Sequence, residues 1–214
     1  MKHPNHKNAL CLENVRLFHD GSKLFELNVN VQPGEVVTIM GPSGSGKSSL
    51  LNLISGFLPP SFSFTGRVVL DDVDITDADP AQRKVGLMFQ DPLLFPHFNV
   101  EENLMFGLPA GGSHHERCNK VRAALDAVNM ADLGRRDPLT LSGGQQSRIA
   151  LLRVLLSEPK ALLLDEPFSA LDSGLRGKVR DFVFSQAKAK KLPTLLVTHD
   201  HADADMSGGQ IITI

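Results

Sequence analysis

The run Gly41-Pro42-Ser43-Gly44-Ser45-Gly46-Lys47-Ser48 fits the spacing G-x-x-x-x-G-K-[ST], which gathers backbone amides, one ammonium and one hydroxyl around phosphate oxygens. Gly41, Gly44 and Gly46 let the backbone wrap closely. Lys47 would reach the β- and γ-phosphates as a point charge, Ser48 would offer its hydroxyl to Mg²⁺, and Ser49 follows in the first helical turn. Asp165-Glu166 closes the apolar run Ala161-Leu162-Leu163-Leu164. Such a pair could hold a metal shell and polarise an attacking water, or simply end a strand in a surface turn. His199, in Thr198-His199-Asp200, could donate a hydrogen bond to a γ-phosphate or be structural. Leu141-Ser142-Gly143-Gly144-Gln145-Gln146 opens a run carrying Ile149, Leu152 and Leu156. It reads as a second anion site at a helix N-terminus, with amides, a hydroxyl and a dipole. One chain needs one phosphate loop per nucleotide, so a second anion site implies a nucleotide held by another subunit.

These residues need a scaffold, and the flanking patterns supply one. Val36 to Met40 is a short β-branched run read as a buried strand, and Leu50, Leu51, Ile54 and Phe57 predict a helix starting near Lys47 and closed by Pro59-Pro60-Ser61. The acidic strand is expected beside the phosphate-loop strand, and Thr194 to Val197 brings His199 to the same sheet edge. Phe25, Leu27, Val29 and Val31 alternate with polar residues, predicting a half-buried strand. Its partner is Leu10 to Phe18, across the turn Asp20-Gly21-Ser22. Phe18 could stack on an adenine face or be an ordinary core phenylalanine. Gly66 to Leu70 and Val85 to Phe89 read as strands, with Asp71-Asp72-Val73-Asp74 as a hairpin turn between them. From Asp91 to about Glu158 the period becomes helical, with Val121, Ala124, Leu125 and Val128 on one face and Gly111 to His115 as a mobile loop.

A chain of 214 residues can bury a substantial core, and a net charge of −2 offers no basic field for nucleic acid. Cys11 and Cys118 are far apart and suit a reducing compartment. The N-terminus, Met1 to Lys7 with His3 and His6, reads as a polar solvated tail without an apolar stretch behind it. No run approaches a membrane span, so the chain is expected to be soluble by itself.

Taken together, the motifs resemble those of an ABC-transporter ATP-binding subunit, over nearly the whole chain from about Leu10 to His201. Gly41 to Ser48 matches the Walker A motif, Gln90 the Q-loop glutamine, and Leu141 to Gln145 the signature. Leu162 to Asp165 matches the Walker B strand, and Glu166 takes the catalytic glutamate position. Ser169-Ala170-Leu171-Asp172 matches the D-loop, His199 the switch histidine, and Phe18 the adenine-stacking position. The resemblance implies an α/β fold: a RecA-like P-loop NTPase core with an antiparallel β-subdomain and an inserted helical subdomain. It places the core and its β-subdomain at residues 1–90 and 158–214, and the helical signature subdomain at 91–157. It implies ATP and Mg²⁺ as cofactors. Glu166, His199 and Gln90 would take part in catalysis, and Ser48, Gln90 and Asp165 would hold the metal. The nucleotide would lie between one subunit's Phe18 and Gly41 to Ser49 and another's Ser142, Gly143, Gly144, Gln145 and Asp172. The implied partners are a second ATPase subunit, integral-membrane permease subunits and, indirectly, a solute-binding protein, with no nucleic acid. The implied location is cytoplasmic, on the inner face of the cell membrane.

Three features depart from the pattern. The adenine position holds Phe where Tyr or Trp is usual. Ser207-Gly208-Gly209-Gln210 repeats the signature tetrapeptide but leads into apolar Ile211 to Ile214, and is read as a hairpin turn. The sequence stops there, so a C-terminal regulatory domain is not expected. Ala81 to Phe95 resembles importer subunits for small solutes, and the run Ala161 to Ser169 looks closest to a thiamine-transport subgroup. The rival is a soluble ABC ATPase acting on nucleic acid or ribosomes. Such relatives usually carry two ATPase units or a long coiled coil, and Gln90 to Leu141 holds no sustained heptads. The apolar Leu93, Leu94, Phe95 and Phe98 are expected to dock a permease helix or to pack inside the small lobe.

Overall fold

The computed structural model describes residues 7–214. Of the polar tail, Met1 to His6, with His3 and His6, lies outside the described residues. In chain order the elements are β1 (Leu10–His19), β2 (Ser22–Val31), β3 (Val36–Met40), α1 (Lys47–Ser55), β4 (Phe62–Leu70), β5 (Val73–Asp74) and β6 (Val85–Met88). Then follow α2 (Val100–Gly107), α3 (His114–Ala127), α4 (Gly143–Leu156), β7 (Ala161–Asp165), α5 (Ser173–Ala189), β8 (Thr194–Val197), α6 (His201–Ser207) and β9 (Ile211–Thr213). Contacts divide the chain into two compact units. One comprises Met1–Leu87, Pro159–Asp165 and Phe184–Ile214, the other Met88–Glu158 and Glu166–Val183. The division inferred from sequence assigned residues 158–214 wholly to the first. Residues 166–183 group with the second because the turn after β7 packs against the start of α4, and Phe182 of α5 packs on the helical core.

In the first unit a four-stranded sheet of order β2-β1-β4-β5 accompanies a five-stranded sheet of order β6-β7-β8-β3-β9. On β2, Phe25, Leu27, Val29 and Val31 are buried while their neighbours are wet, the signature of a sheet with one covered face. β3, β7 and β8 are buried along their whole length and run parallel. Their inner residues join those of β1, β2, β4 and α1 in one apolar cluster. Asp71 and Asp72, with φ of 54° and 61°, make a turn, as their residue types suggest. Val73 and Asp74, read as part of it, form β5 instead, and β4 pairs with β5 while β6 belongs to the other sheet. The Lys160 ammonium, bonded to Asp71, and the Asn8 amide hold that carboxyl below its ordinary range.

Several expectations need correction. β7 does not lie beside β3, because β8 is inserted between them; all three are too uniformly apolar for pattern to reveal their order. α1 stops at Ser55 with Gly56 as a left-handed cap, before the proline pair, and Phe57 is exposed rather than core. Ser207 ends α6, Gly208 is its left-handed cap, and β9 then pairs parallel to β3. Ser207 to Gln210 is therefore a helix-to-strand connection and no hairpin. His114 and His115 belong to α3, whose N-cap is Ser113 in a capping box with Glu116.

The end of α1 is held by Arg83, which is buried and without a carboxylate bonded to it. Its guanidinium donates to Leu53 O (2.9 Å), Ile54 O (3.0 Å), Ala78 O (2.8 Å) and Thr76 O (2.8 Å). Burial lowers its pKa, with the Asp77 charge opposing. The cation thus sits where the α1 dipole is negative, sharing Leu53 O with the Gly56 cap amide. Arg83→Met should remove this donor from all four carbonyls, costing about 2–4 kcal/mol. Thermal denaturation should show a Tm lower by on the order of 5–15 °C.

Candidate functional site

The phosphate loop lies between β3 and α1. The α1 N-cap is Gly46, with φ of 94°, and it supplies no side-chain cap; no acid stands in the first turn. The first amides of a helix have no intrahelical acceptor, so this end presents donors and a positive dipole. A side chain is refused at Gly46 on two counts: its φ is left-handed, and a Cβ would stand 3.0 Å from the Phe25 ring. Lys47 is buried, and its ammonium spans the loop to donate to Gly41 O (2.9 Å) and Pro42 O (2.7 Å). Ser45 Oγ is buried with no hydrogen-bond partner. An orphaned hydroxyl, an uncapped helix and a buried cation in one loop are the donor set a polyphosphate requires.

The neighbouring strands bring Asp165 and the segment carrying His199 to the same edge. Ile39 and Asp165 are both in register with Val197, so β3, β7 and β8 end level. Asp165 is thereby two strand spacings, roughly 10 Å, from the end of β3. Thr198 N donates to Ile39 O and Asp200 N to Thr198 Oγ1, which fixes the backbone on either side of the exposed His199. The Ser48 hydroxyl and the Asp165 carboxylate are hard oxygen donors of the type Mg²⁺ selects. Glu166, in the second unit, has φ of 48°. For a residue that is neither Gly nor Asn this costs of order 1–3 kcal/mol, and such strain gathers at functional positions. Its carbonyl accepts from Ser169 N and Oγ, closing the turn after β7. Phe18 is half-buried at the end of β1, paired with Lys23 and Ser63.

In the second unit Ser142 caps α4. Its hydroxyl oxygen accepts from Gln145 N (3.3 Å), and Gln145 Oε1 accepts from Ser142 N (2.9 Å). Gln145 is therefore occupied in the cap, and Gly143 and Gly144 supply the open amides. The two glycines differ. A Cβ on Gly143 would meet nothing within 4 Å, whereas one on Gly144 would stand 3.0 Å from Ala170 O and 3.4 Å from the Leu171 side chain. The second glycine is required by its own chain's 169–172 turn; the first faces outward. Asp172 caps α5 by accepting from Leu175 N (3.0 Å).

Gln90 is exposed beyond β6. The segment after it is pinned by two polar side chains that pattern reading missed. Asn103, fully buried, accepts from Phe95 N and donates to the carbonyls of Phe95, Phe98 and Asn99. Arg153 donates to Leu93 O (2.9 Å) and lies over the Phe95 ring, 5.0 Å from its centroid; burial lowers its pKa. Leu94 packs into the helical core, while Leu93 (57%) and Phe106 (65%) stay exposed. The signal available in sequence was a polar residue interrupting each apolar helix face.

A family model described as ABC transporter matches residues 24–169. The chain belongs to the ABC transporter family, as an ATP-binding subunit with that family's cassette fold. It is 47% identical over 195 residues to an uncharacterized ABC transporter ATP-binding protein, YnjD, of Escherichia coli K12, covering 91% of this chain and 90% of the relative. It is 41% identical over 199 residues to the thiamine import ATP-binding protein ThiQ of Jannaschia sp., covering 92% and 84%. It spans only about half (53%) of other relatives, such as a spermidine/putrescine import ATP-binding protein of Oleidesulfovibrio alaskensis. Among solved structures, the ATP-binding cassette MJ0796, a post-hydrolysis dimer bound to ADP and Pi, superposes with a TM-score of 0.82 at 32% identity, covering 96% of this chain and 94% of that one.

The two signature glycines should respond differently to substitution. Gly143→Ala should leave Tm within a few degrees, because its methyl would meet nothing within 4 Å, so any loss of ATP turnover would not come from unfolding. Gly144→Ala should lower Tm, by forcing the 169–172 turn to move. Denaturation curves and steady-state ATPase assays on both variants check this.

Proposed function

We propose that the chain hydrolyses ATP with Mg²⁺ in a head-to-tail dimer and so drives import of a small solute through a separate membrane permease. The observation that carries the reading is the phosphate loop: α1 uncapped, Lys47 drawn onto loop carbonyls, and Ser45 Oγ without a partner. Residues 1–90 and 158–214, apart from 166–183, form the nucleotide-binding core, and 91–157 the signature subdomain. Phe18 stacks the adenine, and Gly41 to Ser49 surround the phosphates. Ser48, Gln90 and Asp165 hold Mg²⁺, which supplies charge neutralisation at the phosphates. Glu166 acts as general base toward the attacking water, and His199 donates to the γ-phosphate. Ser142, Gly143, Gly144, Gln145 and Asp172 serve the nucleotide of the partner subunit. The dimeric MJ0796 cassette and the import relatives support this arrangement.

Among the described residues no helix is long and apolar enough to cross a membrane. The reading therefore requires permease subunits, with a solute-binding protein acting through them and the chain on the cytoplasmic face. Thiamine is the first solute to assay, on the strength of the likeness to ThiQ over 84% of that protein. A role on nucleic acid or ribosomes is not favoured. The net charge is −2, and between β6 and α4 stand only the short α2 and α3 rather than a long coiled coil.

Glu166→Gln should retain ATP binding and slow hydrolysis roughly 10²–10⁴-fold. Lys47→Ala and Ser142→Arg should each abolish turnover alone. Mixed, they should restore nucleotide occlusion at one site, built from an intact phosphate loop and the partner's intact signature. Demonstrated heterodimers without any occlusion would sink the head-to-tail arrangement.

The exposed Leu93 and Phe106, rather than the packed Leu94, are the side chains we assign to permease docking. Leu93→Ser with Phe106→Ser should abolish ATP-driven uptake in vesicles holding the full transporter, while the isolated subunit keeps its basal ATPase rate.

A further inference from the structure

Ser207-Gly208-Gly209-Gln210 has no part in either anion loop, yet the fold uses each of its residues. Ser207 ends α6; its hydroxyl donates to Ala204 O (2.7 Å) and accepts from Thr38 Oγ1 (3.1 Å). Gly208, with φ of 68°, closes the helix as its amide donates to Asp205 O. Gly209 lies so close to β3 that a Cβ would stand 1.9 Å from Val36 O. Gln210 O accepts from Thr38 N (2.8 Å), and β9 then runs parallel to β3.

Thr38 is the one polar residue of β3, and it is fully buried. Valine has the same branched shape and no hydroxyl to satisfy, so burying threonine here costs stability unless its hydroxyl is bonded. Ser207 provides that bond. The start of the same excursion is held too. Thr198 N donates to Ile39 O (3.3 Å), Asp200 N donates to Thr198 Oγ1 (3.1 Å), and the Asp200 carboxylate caps α6 by accepting from Ala202 N (2.7 Å). Residues 198–207, His199 among them, thus leave β3 at Ile39 and return to it at the adjacent Thr38.

We propose that Thr38 and Ser207 are positioning residues. Their bond fastens the far end of α6 to the strand that carries the phosphate loop. The helix, capped at both ends, then holds the His199 segment in one place relative to that loop. This rests on the reading of His199 as a donor to the γ-phosphate, and it brings in two residues that touch no nucleotide. A donor on an exposed turn loses much of its effect when displaced by an ångström or so, which is what a second anchor prevents. The repeated tetrapeptide is therefore a fastening between helix and strand, where its twin at Ser142 opens a helix.

A cycle of variants on the full chain separates positioning from stability. Ser207→Ala leaves the buried Thr38 hydroxyl without its acceptor, so Tm should fall by about 2–6 °C. Thr38→Val leaves Ser207 donating to Ala204 O, and Tm should stay within about 2 °C. With both substitutions no buried hydroxyl is orphaned, so Tm should return to within about 2 °C of the unsubstituted chain. The ATPase kcat should not follow Tm. Measured well below every Tm, it should fall on the order of tenfold in both single variants and in the double variant. The Kd of a fluorescent ATP analogue should change by less than about twofold. Thr38→Ser keeps the hydroxyl and should keep most of the kcat. In the nucleotide-free chain, Thr38→Val should speed hydrogen exchange at the amides of Ala204 and Gly208 about fivefold, as for the loss of one net hydrogen bond. The Thr198 amide, bonded to Ile39 O, is the internal control.

A kcat that recovers together with Tm in the double variant would overturn the proposal, because stability alone would then explain both. So would a kcat that never falls, or unchanged exchange at Ala204 and Gly208. Should Ser207→Ala not fold, Thr38→Val and Thr38→Ser carry the same comparison of kcat with Tm. If the unsubstituted chain hydrolyses nothing, or His199→Ala keeps its full kcat, the reading of the nucleotide site fails instead, and the exchange comparison still supports or overturns the fastening of α6.

Discussion

An uncapped helix N-terminus next to a buried ammonium is the constraint from which the first unit takes its form. The first amides of α1 have no carbonyl to pair with, and Gly46 supplies no side chain to satisfy them. A positive dipole and a buried Lys47 at one place repel each other unless electron-rich oxygens lie between them. Here the carbonyls of Gly41 and Pro42 take that role. Around this polar loop the structure is dry. β3 is buried from end to end, the inner faces of β1, β2 and β4 share its cluster, and Arg83 neutralises the opposite end of α1. A helix fastened at its C-terminus and embedded along its length keeps its N-terminal donors fixed, and fixed donors bind an anion without reorganisation.

The second unit solves a different problem. Its helices are short, and α2, α3 and α4 are each closed by a capping box, Asn99 with Glu102, Ser113 with Glu116 and Ser142 with Gln145. The segments between helices are held by buried polar side chains. Asn103 and Arg153 fasten the stretch after Gln90, and Arg148 fastens the first turn of α4 to the end of α3. Directional bonds give a loop one conformation where apolar packing would allow several. Loops that must present exposed groups such as Ser142, Gly143 and Leu93 gain from that restriction.

Much of this was legible residue by residue. The phosphate loop, its strand and the start of its helix were readable because each rests on local chemistry: β-branched residues before a glycine turn, then apolar residues at helical spacing. The alternation on β2 and the aspartate turn at Asp71-Asp72 were readable for the same reason. The ends of elements were less so. Phe57 continues the apolar rhythm of α1, yet the chain has already turned at Gly56, whose left-handed cap closes the helix onto Asn52 O and Leu53 O. At Ser207 to Gln210 a tetrapeptide identical to one in the signature does something else. Gly208 ends a helix, and the strand that follows pairs parallel with β3. The same four residues open a helix at Ser142 and leave one at Ser207, since the flanking sequence decides on which side the helix lies.

By itself the sequence determined most of the local inventory: the buried strands, the glycine turns between strand and helix, and which acids and histidine follow which strands. These depend on neighbours along the chain, where spacing and residue type suffice. Tertiary structure alone decided the order β7-β8-β3, because strands apolar on both faces carry no mark of their neighbours. It alone decided that Gly143 is open while Gly144 is pressed by Ala170, and that Glu166 is held at a left-handed φ. It also decided that Arg148 is buried between two carbonyls on the helix that the signature begins. Each of these depends on groups distant in sequence meeting at one point, and the free energy of such a meeting is written in no local pattern.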